Sequence, residues 1–387
     1  MHDIQNRLAM EHALDRFEDV MVVESGAPNS RPPDYRLRVI PAESGKSGTS
    51  YVVRMVHNRS GEIIWSQPLG QTLAGDTNTA TLEATQQIAE AIARPFGVIF
   101  SDQRRRLRNQ SASRYGCIIE SYLFFARPTQ SAYDSAKTCV ENAIKEFPQF
   151  GAGLATLSLL YTEGWKHGFD QRPTQNLLEE SNQLAHRAQL LNPASIRSNL
   201  AVFQSEFYRK NYASAFQIGN SLIENNPNSP LAKITIASAY AVQGHAGKAK
   251  PLFASVRNST TNFTTAYGVY LFLLAYAEGD AQEASRWAMS RGASIRPLGL
   301  FARILVNHQQ GRLEEARQYA ERLQKTFPAV FENVSAMLDR YHMAEPLRSK
   351  LLTDLKATGL ISTLQTYVPP VKANAGSPDK TVSSARN

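Results

Sequence analysis

Residues 181–227 read SNQLAHRAQLLNPASIRSNLAVFQSEFYRKNYASAFQIGNSLIENNP, and this stretch decides the fold. Counting back from Pro227 by 5, 8 and 12 positions finds Leu222, Gly219 and Ala215. The same steps from Pro193 find Ala188, Ala185 and Ser181, and the two prolines stand 34 residues apart. A proline that ends a helix, preceded by small residues at helical spacing, marks a helix built to lie close against a neighbour. Repetition at this distance marks a helix-pair array in which no unit buries its apolar face alone.

The signature recurs at both ends of the region. Pro148 is preceded by Ala143, Val140 and Ala136, and Pro328 by Leu323, Ala320 and Ala316. The period is that of the tetratricopeptide repeat, and residues 116–365 read as an array of five or six such helix pairs. Leu154, Leu157, Ser158 and Tyr161 fit the first helix of the second unit; Ala237, Tyr240, Gly244, Ala249 and Phe253 fit the fourth. Gly279, Ala284 and Ala288 mark the fifth unit, and Gly311 the sixth. Gly164 to Asn176 reads as an insertion, and the fourth and fifth units lack the closing proline, so irregular stacking is expected there.

The chain has 387 residues, 42% of them hydrophobic, which suffices for two domains and a sizeable core. Its net charge of +8 is partly local. Arg104, Arg105, Arg106, Arg108 and Arg114 stand against the single acid Asp102 between Ser101 and Tyr115. Residues 101–115 therefore read as a basic linker or helix end at a domain junction. The competing reading is contact with nucleic acid or an acidic partner. Interleaved aromatics are absent, which argues against specific nucleic-acid binding.

Cys117 and Cys139 have neither CxxC nor Cys/His spacing and read as buried thiols, with no disulfide framework implied. The opening MHDIQNRLAMEHALDRF lacks the apolar core of a signal peptide, and nowhere do eighteen apolar residues run together. The expectation is a soluble, cytoplasmic chain with no membrane span.

Residues 1–100 read as a small α/β domain. Met10, Leu14 and Phe17 share one face of an opening helix, followed by an apolar strand Val20-Met21-Val22-Val23. Tyr35, Leu37 and Val39 alternate with arginines in a half-buried strand. Tyr51 to Val56 and Glu62 to Trp65 form a hairpin around Asn58-Arg59-Ser60-Gly61. A helix from Ala80 to Arg94 ends before Pro95. Residues 366–387, with Pro369, Pro370, Gly376 and Pro378, read as a disordered tail. The fold class is thus mainly α: a tetratricopeptide-like helical-repeat superhelix preceded by a small α/β domain.

In its order of motifs the chain resembles the C-terminal part of bacterial proteins that join a TolB-like α/β domain to tetratricopeptide repeats. The matching pieces are Arg16 to Val23, Asp34 to Leu37, Ser60 to Ser66, Ile88 to Ile92 and a Lys356-Ala357-Thr358-Gly359-Leu360 ending. In that family these modules follow an adenylate cyclase or winged-helix DNA-binding domain. The resemblance implies a buried strand before the first helix, whereas this chain begins inside that helix. Either it is a fragment, a gene that lost its 5′ end, or a member working without an output domain. A sheet lacking that strand would bare an edge open to self-association.

Sites of chemistry do not emerge. Gly45-Lys46-Ser47 resembles the end of a P-loop, but Ile40 stands where its first glycine is needed, so a loop between strands is expected. The eight histidines are dispersed without HExxH or metal spacing, no Gly-x-Ser-x-Gly elbow occurs, and Trp65 reads as core. No catalytic residue, cofactor or metal is expected, and the chain is not read as an enzyme. The expected function is protein–protein interaction: a peptide or protein bound on the repeat surface, with Arg197, Gln204 and Phe207 of the third unit as candidate contacts. The alternative is a regulatory segment of a signalling enzyme of adenylate cyclase type, or of a transcription regulator, whose output domain is absent from this chain.

Overall fold

A computed structural model describes residues 8–364 apart from 12, 15, 16, 18, 24–31, 46, 47, 70–77, 108–112, 257–262, 291, 293 and 294. The tail expected to be disordered lies outside the described residues, as do Lys46 and Ser47. The strands flanking those two residues pair Gly45 with Gly48.

Three antiparallel strands, β1 (Tyr35–Gly45), β2 (Gly48–His57) and β3 (Ile63–Leu69), form a sheet in the order β1-β2-β3. The hairpin turn closes at Gly61, whose φ of 70° suits glycine. Helices α1 (Asn78–Ala93) and α2 (Val98–Leu107) follow. Val53, Met55, Ile88, Ile92 and Ile99 make the core of this unit, with Tyr35, Leu37 and Trp65 packed against it. Alternation alone overestimates Val39, which is 57% exposed although it pairs with Val53.

The expected strand Val20–Val23 is absent. These residues carry no strand pairing, and Met21 is 85% exposed. Only Val20 packs on the unit's core. An apolar run becomes a strand only where an edge accepts its hydrogen bonds.

The stretch read as a linker begins as the last turns of α2. Asp102, at 4% side-chain exposure, takes hydrogen bonds from Arg105 and Arg106, each at 2.7 Å. The Tyr35 hydroxyl donates to it at 2.8 Å. Both arginines also reach Glu62, at 2.7 and 2.6 Å. Part of the basic run is therefore a helix end stapled to the sheet.

Among the described residues, twelve helices then form six pairs. They are α3 (Arg114–Ala126) with α4 (Gln130–Glu146), α5 (Gly151–His167) with α6 (Thr174–Leu191), and α7 (Ile196–Tyr208) with α8 (Tyr212–Asn225). The others are α9 (Pro230–Val242) with α10 (Ala246–Val256), α11 (Phe263–Glu278) with α12 (Ala281–Ala288), and α13 (Pro297–Gln309) with α14 (Leu313–Thr326). The helices α15 (Pro328–Glu332), α16 (Val334–Arg340) and α17 (Glu345–Ala357) complete the chain. The residues of the proline signature are interior: Ala136, Val140, Ala185, Ala188, Ala215 and Ala316 are all fully buried. Ser113, Thr129, Ser195, Ser229 and Asp280 cap helix starts with side-chain oxygens.

Gly244, Gly279 and Gly311 hold the left-handed turn inside three pairs, and Lys210 holds it in the third at φ 68°. A side chain there costs about 1–2 kcal/mol, so the turn is imposed by packing. The insertion lengthens α5 and adds a loop that begins at left-handed Gly168.

The cysteine reading is corrected. Cys117 of α3 and Cys139 of α4 form a disulfide, with Cα atoms 5.3 Å apart. Local spacing could not reveal it, because two helices folded back on each other bring residues 22 apart into register. Among the described residues, no helix is long and apolar enough to cross a membrane.

Candidate functional site

The first helices of the pairs, α3, α5, α7, α9, α11 and α13, pack on one another in succession. The C-terminal helices pack back on this row: α16 on α5 and α17 on α13. The backbone N–H of Ala344 donates to Val242 O at 2.8 Å, and Arg340 Nη1 donates to Trp165 O at 3.2 Å. Phe327, Val330, Val334, Met337, Leu338 and Tyr341 are each at most 2% exposed. Their burial glues the returning segment to the array.

The three residues predicted on α7 are not brought together. Arg197, at its start, donates to Asp19 Oδ1 at 2.8 Å and to the Tyr122 hydroxyl at 2.7 Å, tying the α/β unit to the array. Phe207, near the other end of the helix, is 2% exposed. It packs against Tyr212 and His342, with ring centroids 5.4 and 5.6 Å away. Gln204 is half-buried, and its Oε1 has no hydrogen-bond partner.

A different set converges inside the array. Glu163, Lys166 and His167 occupy one side of the last turn of α5, and Arg296 leads into α13. Glu163 pairs with Lys166, and Arg296 Nη1 lies 3.5 Å from Glu163 Oε2. Arg296 Nη2 donates to Phe125 O at 2.6 Å. The Lys166 ammonium lies 5.1 Å from the Tyr341 ring and 5.6 Å from the Tyr208 ring. His167 Nε2 is 3.1 Å from Glu163 Oε2, yet neither ring nitrogen has a partner in hydrogen-bonding geometry.

Burial sets the electrostatics here. It would raise Glu163, but Lys166, His167 and Arg296 hold the carboxyl well below its usual range. Burial pushes Lys166 down, against the pull of Glu163, and pushes His167 down to about 4. Burial also drives the Tyr208 and Tyr341 phenols well above their usual range, so they remain hydroxyl donors. Arg296 stays charged: desolvation lowers it, while Glu163 and nearby tyrosines more than offset that. The arrangement is a buried ion-pair network in which Glu163 is the shared anion.

The only trace of this set in the sequence is the spacing of Glu163, Lys166 and His167, which puts three ionisable groups on one side of an apolar helix. The partners from residues 208, 296 and 341 arrive only through tertiary packing. Among the described residues no three His, Cys, Asp or Glu side chains are placed to hold a metal ion. No known protein-family pattern matches the chain, and no curated protein matches it.

Proposed function

We propose that this chain is a non-catalytic interaction module whose six helix pairs form a tetratricopeptide-like superhelix, with a peptide or protein segment bound on its inner face. The observation that supports this reading is the packing of residues 327–344 against the first helices of the pairs. Aromatic and aliphatic anchors are buried there, while one arginine and one backbone N–H reach carbonyls at helix ends. A partner segment of the same chemistry, apolar anchors beside a basic residue, is the ligand this face fits. Gln204, half-buried on α7, is the candidate direct contact, whereas Arg197 is paired with Asp19 and Phe207 is buried.

The test uses a fluorescent peptide with the sequence of residues 327–344, titrated into the full chain and into Met337→Ala, which loosens the resident segment. The variant should bind the peptide about tenfold more tightly, as expected when an intramolecular competitor is weakened by about 1.4 kcal/mol. A folded Met337→Ala chain showing no saturable binding would refute the reading.

A further inference from the structure

We propose that the face of the sheet turned away from α1 and α2 is a docking surface for an acidic protein segment, extended and carrying carboxylates and aliphatic side chains at alternate positions. This surface belongs to the α/β unit and stands whether or not a peptide binds the helix pairs.

Strand register fixes what this face carries. Val53 and Met55 of β2 are buried in the core made with Ile88, Ile92 and Ile99. Val52, Arg54 and Val56 alternate with them and so point the other way. On β1, Arg36 pairs with Val56 and Arg38 with Arg54, which puts both arginines on that same side. Ile63 of β3 stands opposite Val56. None of the six is buried: Arg36 and Arg38 are exposed, Val52, Arg54 and Val56 are half-buried, and Ile63 is 53% exposed.

Charge complementarity names the occupant. Like charges directly across a strand pair repel, and Arg38 and Arg54 hold that position. Among the described residues neither they nor Arg36 has an acid partner, whereas Arg105 and Arg106 are neutralised by Asp102 and Glu62. Guanidinium forks match carboxylates. Arg36 and Arg38 stand about 7 Å apart along the strand, the spacing of carboxylates at alternate positions of an extended segment. Along β2 the order Val52, Arg54, Val56 calls for aliphatic, acid, aliphatic on the partner. A second copy of this chain would set arginines against arginines. The six residues include no aromatic ring on which a nucleic-acid base could stack. Three cations also fall short of the clusters of about four to eight that hold a protein on an anionic membrane.

The test titrates the full-length chain with a fluorescent peptide repeating Val-Ser-Glu-Ser, and with its counterpart bearing lysine for glutamate. Single-stranded DNA, duplex DNA and vesicles of equimolar phosphatidylserine and phosphatidylcholine are the competing probes. The glutamate peptide should bind saturably, more weakly as salt rises, and the lysine peptide should not bind. Arg38→Gln combined with Arg54→Gln should weaken binding by about tenfold or more, through lost hydrogen bonds to charged groups. Arg36→Gln, at the edge strand, should weaken it as well. Because the double variant removes a repulsion, its urea midpoint should be unchanged or higher, which separates a lost contact from a lost fold. The proposal is overturned by no saturable binding of the glutamate peptide, by equal binding of the lysine peptide, or by binding undiminished in both variants. Tighter binding of DNA or vesicles than of the peptide would overturn it too.

Discussion

A single methyl group at Gly164 tests the packing of the helix pairs. Gly164 lies in α5, and a Cβ there would come within 2.5 Å of Cε2 and Cζ of Tyr133 on α4. Tyr133 has little freedom to yield, because it is fully buried and its hydroxyl donates to Asp170 Oδ2 at 2.6 Å. Helix propensity favours alanine over glycine by about 1 kcal/mol. Against that, overpacking costs about 1–3 kcal/mol. Displacing the ring also weakens a hydrogen bond to a buried carboxylate, a contact of about 1.5–3 kcal/mol. Steric and hydrogen-bond costs together exceed the propensity gain, so Gly164→Ala should destabilise by about 2 kcal/mol.

Gly247 in α10 supplies the control, since a Cβ there meets nothing within 4 Å. Gly247→Ala should leave stability unchanged or raise it by up to about 1 kcal/mol. Urea unfolding followed by circular dichroism should move the two midpoints in opposite directions. If Gly164→Ala proves as stable as Gly247→Ala, the close approach of α4 to α5 is wrong.

Three further outcomes follow from the same structure. Reducing the Cys117–Cys139 bond, which spans 22 residues, should cost about 3 kcal/mol; equal urea midpoints with and without dithiothreitol, after thiol titration confirms the bond, would contradict this. Burial, helped by the nearby Lys210, pushes His342 down to about 4 from an ordinary 6.5, within a setting of Trp165, Phe207, Tyr208 and Tyr212. The unfolded chain therefore takes up this proton first, so the stability contribution is complete above about pH 6.5 and is lost as pH falls towards 4, by about 3 kcal/mol at most. His342→Gln should flatten that slope in unfolding measured across pH. Ala316 is fully buried, so Ala316→Phe should cost about 1–3 kcal/mol, and an unchanged thermal midpoint would argue against the repeat register.

The sequence by itself determined the helix pairs. Small residues at fixed steps before Pro148, Pro193, Pro227 and Pro328 need no distant partner to be read, because helix spacing and proline's missing N–H are local physics. The alternation of Tyr35 and Leu37 and the turn ending at Gly61 were legible for the same reason. Tertiary structure alone decided what lies far apart along the chain. Val20–Val23 had the composition of a strand but no paired edge, and Cys117 met Cys139 only because α3 and α4 fold back on each other. Arg197 and Phe207 of α7 were claimed by Asp19 and His342, which come from opposite ends of the chain. Glu163 likewise acquired Arg296 across 133 residues. Such charges become a network only when burial removes their water, and burial is a property of the packed chain and not of any short stretch of its sequence.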